Sequence, residues 1–182
     1  MIPEPWLSFL KEIDDSIESE VSFHCFGGFA ITLQFGLTRE TSDIDVMAAV
    51  ARDQYKELFD LAGKDSPLNE KHKVYLDLVG AIAVVPDDYQ ERLIPIVSTP
   101  FKNVRLYVME PHDIILAKLG RDHPKDIQDV EYLASVTELD TRLLKDRYQT
   151  ELSHNVIGPP ERMAGRLEYW IGVINERRAS EA

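Results

Sequence analysis

Trp6, Leu10, Ile13 and Ile17 recur at spacings of three and four, with Lys11, Glu12, Asp14, Asp15 and Glu18 between them. That is the stripe of one amphipathic helix suited to lie on a sheet. Ser22 to Phe26 is short and aromatic and runs into Gly27-Gly28, which predicts a strand ending in a glycine turn, with a helix from Phe29 to about Phe35 stopped by Gly36. After a polar link over 38–42, the segment Asp43-Ile44-Asp45-Val46-Met47-Ala48-Ala49-Val50 alternates acidic and apolar positions before becoming wholly apolar. A period of two puts Asp43 and Asp45 on one face of a strand.

Residues 52–63 hold Tyr55, Leu58, Phe59 and Ala62 at helical spacing, while Lys73 to Val79 and Val104 to Met109 are rich enough in β-branched and aromatic residues for two further strands. The rest is helical. Pro111, with Glu110 before it and Asp113 in the first turn, opens a helix ending near Gly120, and Pro124 opens the next in the same way. A helix over 140–152 follows, and then one after Pro159-Pro160 with an apolar stripe of Met163, Leu167, Trp170, Ile171 and Ile174, suited to a core or a dimer contact. No repeat, linker or low-complexity tract interrupts the pattern.

A chain of 182 residues fits one domain, here 1–182, with an α/β core over about 21–110 and a helical C-terminal region over about 111–178. With 44% hydrophobic and 29% charged residues, it is neither disordered nor of low complexity. Thirty-two acidic against 20 basic residues give a net charge of -12, which excludes non-specific DNA binding through counterion release and confines any nucleic-acid role to a local patch. The lone Cys25 makes no intrachain disulfide and has no partner that marks a nucleophile, so a reducing cytoplasm suits the chain. The N-terminal segment has no basic region leading into an apolar stretch, and the longest uncharged run, residues 21–38, carries His24, Gln34 and three glycines. Neither a signal peptide nor a membrane span is expected.

The chemistry concentrates where Phe26-Gly27-Gly28 is followed, after fourteen intervening residues, by Asp43-Ile44-Asp45-Val46. Two carboxylates on one strand face repel each other, and a divalent cation between them relieves the repulsion. A glycine pair at a strand-to-helix turn lets backbone N–H groups approach a phosphate. A metal site beside a phosphate cradle is what phosphoryl or nucleotidyl transfer requires.

This combination resembles the DNA polymerase β-like nucleotidyltransferase superfamily, and Arg39-Glu40-Thr41-Ser42-Asp43-Ile44-Asp45 is similar to the Arg-x-Thr-x-Asp-x-Asp form of small bacterial proteins of the DUF6036 and AbiEii-like groups. Segments 85–93, 113–119 and 124–130 are similar to further DUF6036 blocks. The resemblance covers most of residues 21–151. It implies an α/β nucleotidyltransferase-like fold, a small mixed sheet with packed helices and a helical C-terminal region. It also implies Asp43 and Asp45 as ligands of Mg²⁺ or Mn²⁺, Gly27 and Gly28 as the triphosphate turn, Arg39 on phosphate and Lys118 as a basic residue reaching into the site, its side chain ending in a cleft. Asp77 is the candidate third metal ligand and catalytic carboxylate. In the AbiEii-like group a late Lys and Asp complete the site instead, which points to Lys118 with Asp126 or Asp129. The implied reaction moves a nucleoside monophosphate from an NTP to an RNA or protein hydroxyl. Small members of these groups often belong to toxin–antitoxin systems, which implies a cognate toxin or antitoxin protein as partner.

Plainer readings stand beside these. Asp43 and Asp45 suit an exposed strand end, Gly27-Gly28 a ligand-free turn, Lys118 a snorkelling surface lysine, and Asp126 and Asp129 the dipole of their helix. His24, between Phe23 and Cys25, reads as a packed histidine. The rival function is a non-catalytic nucleotidyltransferase-fold module, or antitoxin, whose acidity suits a basic protein partner.

Overall fold

The computed structural model describes residues 2–39, 41–48, 52–79, 84–97, 99–121, 123–155 and 159–181, so the expected strand residues Ala49 and Val50 lie outside the described residues. The chain divides into two compact units, Met1–Ile82 with Leu93–Met109 and Ala83–Arg92 with Glu110–Ala182.

The first unit is built on a five-stranded mixed sheet in the order β3-β2-β1-β5-β4. The central strand β1 (Val21–Phe26) buries Val21, Phe23 and Cys25 completely on one face and His24 and Phe26 nearly so on the other, as a strand covered on both faces does. It pairs antiparallel with β2 (Asp43–Ala48) and parallel with β5 (Val104–Val108). β2 in turn pairs parallel with β3 (Tyr75–Leu78). The edge strand β4 is only Ile94–Pro95, a length and a proline that blunt an edge.

Helix α1 (Trp6–Ser16) buries Phe9, Leu10 and Ile13 as its stripe requires. It is tied to the start of β5 by the Asp14 carboxylate, which accepts the backbone N–H groups of Lys102, Asn103 and Val104 at 2.8, 2.6 and 2.7 Å. Burial alone would push the Asp14 carboxyl up; those donors and Arg105 outweigh it and hold it below the usual carboxylate range. α2 (Gly27–Phe35) packs on β1 and β2 and ends at Gly36 in the left-handed region, φ 79°. Its start corrects the sequence expectation, since both glycines belong to its first turn rather than preceding it. α3 (Arg52–Ala62) follows β2. A helix the periodicity does not show, α4 (Pro67–His72), is started by the Ser66 hydroxyl, which accepts from the Asn69 N–H, with Pro67 at the first position.

The second unit holds α5 (Pro111–Lys118), α6 (Pro124–Val136), α7 (Thr141–Arg147) with a π turn over Tyr148–Leu152, and α8 (Pro160–Glu181). Met163, Leu167, Trp170, Ile171 and Ile174 on α8 are buried, and the helix packs on α6. The stripe is core of this unit. Its polar centre is Asp113, fully buried, which accepts from Arg92 Nε at 2.9 Å, Arg92 Nη2 at 3.1 Å and Arg147 Nη1 at 2.9 Å. Arg92 also donates to Glu151 at 2.6 Å, and Arg147 to Glu110 at 2.6 Å. These ion pairs and the Asp87 N–H to Glu151 carbonyl bond explain why segment 83–92 belongs with the helices. Among the described residues no helix is long and apolar enough to cross a membrane.

Candidate functional site

The site grows from β2. The pleat places Asp43 and Asp45 on one face, and the parallel register of β3 sets Tyr75 opposite Asp43 and Asp77 opposite Asp45. Four side chains, three of them acidic, therefore share one face of two adjacent strands. Asp45 is buried, Asp43 and Tyr75 are half-buried, and Asp77 is exposed.

On the other side of β2, Asp45 stands opposite Phe26 of β1, so the first turn of α2 arrives directly against its carboxylate. Gly27 has φ +71°, and a Cβ built on it would fall 1.8 Å from Asp45 Oδ2. No side chain fits between the helix start and the carboxylate. That close approach, with the left-handed backbone, is the reason for glycine at this position. Gly28 faces the polar link, where a Cβ would stand 3.4 Å from Thr41 Oγ1 and 3.5 Å from Arg39 Nη2. The Thr41 hydroxyl donates to Asp43 Oδ1. One hydroxyl thus fixes Asp43 while lying over the second glycine. Gly27, Gly28, Arg39, Asp43 and Asp45 come together in the first unit, and Asp77 stands opposite Asp45 on the neighbouring strand.

The local electrostatics follow from this crowding of carboxylates. Burial pushes the Tyr75 phenol up, and Asp43, Asp77, Asp45 and Asp65 add to the effect. Burial also pushes the Cys25 thiol up, with Asp45 contributing, which leaves it a packed thiol rather than a nucleophile. His24 is packed as expected: its ring stands edge-on to Tyr107 at 5.8 Å, and burial pushes the imidazole down.

Among the described residues no three His, Cys, Asp or Glu side chains gather closely enough to hold a metal by themselves. Mg²⁺ is commonly held by one or two carboxylates, with water and substrate phosphates completing its shell. The hard oxygen donors of Asp43 and Asp45, beside the start of α2, fit that arrangement.

Lys118 belongs to the second unit. It is 1% exposed, and its Nζ donates to Asp129 Oδ2 at 2.7 Å and to Asp126 Oδ1 at 3.2 Å. Both carboxylates are buried, and Arg121 donates to Asp126 at 3.1 Å. The expectations of a surface lysine and of a side chain ending in a cleft are both corrected: the ammonium is enclosed because two carboxylates of α6 neutralise it. Asp126 and Asp129, read as helix-dipole residues, are its partners.

Sequence reasoning singled out neither Thr41 nor Tyr75. Each lies two residues before a chosen carboxylate, Asp43 and Asp77 respectively, and the strand period carries that signal. The Arg92–Asp113–Arg147 network was also missed, because its members lie far apart along the chain.

A family model described as a nucleotidyltransferase of unknown function, DUF6036, matches residues 7–170. No curated protein and no solved structure matches the chain.

Proposed function

The chain belongs to the DUF6036 family of nucleotidyltransferases of unknown function, and on that premise we propose that it transfers a nucleoside monophosphate from an NTP to a hydroxyl of an RNA or protein acceptor, with release of pyrophosphate. The observation that carries the reading is the contact between Gly27 and Asp45. The backbone start of a helix, where N–H groups have no intrahelical partner, abuts a buried carboxylate with no side chain between them.

In this reading Asp43 and Asp45 would hold Mg²⁺ or Mn²⁺, which when bound neutralises phosphate charge and lowers the pKa of the attacking hydroxyl, and Asp77, opposite Asp45 on β3, is proposed as a further ligand from the family likeness alone. Thr41 keeps the Asp43 carboxylate in one orientation. The N–H groups of Gly27 and Gly28 receive phosphate oxygens, and Arg39, whose guanidinium lies beside Gly28, supplies the positive charge that a triphosphate next to acidic side chains needs. A part for Lys118 in the reaction is proposed from the family likeness alone; its ammonium is enclosed and balanced by Asp126 and Asp129. A toxin–antitoxin pair in the cytoplasm, with a cognate protein as partner, is the setting proposed from the family likeness.

The test is transfer of label from α-labelled NTPs, each with Mg²⁺ or Mn²⁺, onto RNA and onto proteins. Transfer by the wild type that is lost in Asp43→Asn with Asp45→Asn supports the reading. NTP binding without transfer to any acceptor shifts it to the non-catalytic binding module.

A further inference from the structure

The acceptor need not come from another molecule. Tyr75 opens β3 directly opposite Asp43, two residues before Asp77 and on the face shared by all three carboxylates. Its backbone N–H donates to the Ser42 carbonyl at 3.0 Å, which fixes the strand start against the polar link that carries Thr41. Neighbouring strands lie roughly 5 Å apart and side chains stand nearly perpendicular to the sheet. A tyrosine is longer than an aspartate, so a phenol on this face has the length to reach beyond the carboxylates that share it.

Of the other hydroxyls near β2 and β3, that of the exposed Ser42 belongs to the residue before Asp43 and so to the opposite parity, and two are committed. Thr41 donates to Asp43, and Tyr55 donates to the Leu78 carbonyl. The Tyr75 hydroxyl makes no hydrogen bond among the described residues, and the residue is half-buried rather than enclosed. A net charge of -12 disfavours an RNA acceptor, while a hydroxyl carried by the chain itself needs no docking and gains the effective concentration of an intramolecular reaction.

We propose that Tyr75 is a self-modification site: the chain transfers a nucleoside monophosphate from an NTP to its own Tyr75 hydroxyl. The inference rests on the nucleotidyltransferase reading of the site. In the step, the phenol oxygen bonds to the α-phosphorus and the bond from that phosphorus to the oxygen leading to the β-phosphate breaks. Pyrophosphate leaves with the electron pair, and the phenolic proton passes to solvent water. The product is a phosphodiester between nucleoside and tyrosine, with no change of oxidation state.

The full chain is incubated with Mg²⁺ or Mn²⁺ and each of the four NTPs, labelled at the α- or the γ-phosphate in parallel, and analysed by intact mass and peptide mapping. The expected result is α-label but no γ-label, a gain of one nucleoside monophosphate per chain, modification on the peptide containing Tyr75, and a rate per chain independent of protein concentration. Tyr75→Phe, which keeps the ring, is expected to lose the label yet keep the metal-dependent melting shift given by the same NTP. Equal labelling of Tyr75→Phe, modification mapped elsewhere, or a melting shift with no labelling overturns the self-modification while the site reading survives. A wild type that shows neither label nor shift with any NTP overturns both.

Discussion

Gly27 is pressed against Asp45: a Cβ added to the glycine would stand 1.8 Å from the carboxylate oxygen Oδ2. A distance that short requires the Asp45 side chain to swing away, and the glycine's φ of +71° is itself unfavourable for any L side chain. Helix α2 and strand β2 therefore meet without room for a side chain at the point where phosphate and metal chemistry is proposed.

Gly27→Ala should accordingly lower stability by about 1–3 kcal/mol, the cost of a side chain forced into the left-handed region plus displacement of Asp45. It should also abolish the NTP-dependent melting shift. Gly28→Ala, which meets Thr41 Oγ1 at 3.4 Å, should fold nearly normally and weaken the shift instead. Thermal melts with and without Mg²⁺ and NTP compare the two; equal behaviour of both variants would refute the contact argument.

The carboxylate pair makes a separate prediction. A ligand present at 100 times its dissociation constant stabilises the folded state by ~2.7 kcal/mol. Millimolar NTP with Mg²⁺ or Mn²⁺ should raise the wild-type melting temperature, and Asp43→Asn with Asp45→Asn should remove the rise. Asp43→Asn alone should cost the apo protein little, since the amide keeps an oxygen that accepts from the Thr41 hydroxyl. A shift that survives in the double variant places the nucleotide elsewhere.

Parity along β2 made Asp43 and Asp45 legible as a pair, because side chains on a strand alternate whatever the fold. That Asp77 stands opposite Asp45 was not legible, since it requires knowing that β3 runs parallel to β2 in one particular register. Helix α4 was hidden because it is six residues long and ends at Lys73 at φ 64°, a conformation that lysine does not announce. β4 has two residues and exists through its pairing with β5. The buried state of Lys118 depends on carboxylates 8 and 11 positions further on, in the next helix, whereas a periodic pattern shows only which face of its own helix a residue occupies.

Acid should weaken the second unit through Glu110. Burial alone would raise its carboxyl, but His112 and Arg147 outweigh burial and hold it at about 2, against an ordinary 4.5. A carboxyl depressed in the folded state contributes its full stability above the unfolded pKa and loses it as the pH falls from about 4.5 toward about 2. The contribution at neutral pH is on the order of 3 kcal/mol or less. Unfolding measured by denaturant between pH 6 and pH 2 (the range set by that shift) should steepen in this window for the wild type and flatten for Glu110→Gln. A Glu110→Gln profile parallel to the wild type would mean that other carboxyls, Asp14 among them, carry the acid sensitivity.

Lys118 separates a structural from a catalytic role most sharply, because its ammonium is as buried as the two carboxylates that hold it. Taking one partner out of a buried ion cluster leaves uncompensated charge, which typically costs ~3–5 kcal/mol, whereas replacing the whole cluster with neutral groups of similar shape is often close to neutral. Lys118→Met alone should therefore destabilise the protein strongly, and adding Asp126→Asn and Asp129→Asn should restore much of the loss, although Arg121 then loses its contact with Asp126. The refolded triple variant allows chemistry to be examined without the stability defect. If it transfers nucleotide at the wild-type rate, Lys118 serves only to join α5 to α6 and Arg39 alone meets the triphosphate. If it binds NTP normally but transfers at least ~10²-fold more slowly, as loss of a charge-stabilising donor commonly causes, the lysine acts in the reaction. Failure of the carboxylate substitutions to rescue Lys118→Met would show instead that the buried charges are not what makes the lysine necessary to the fold.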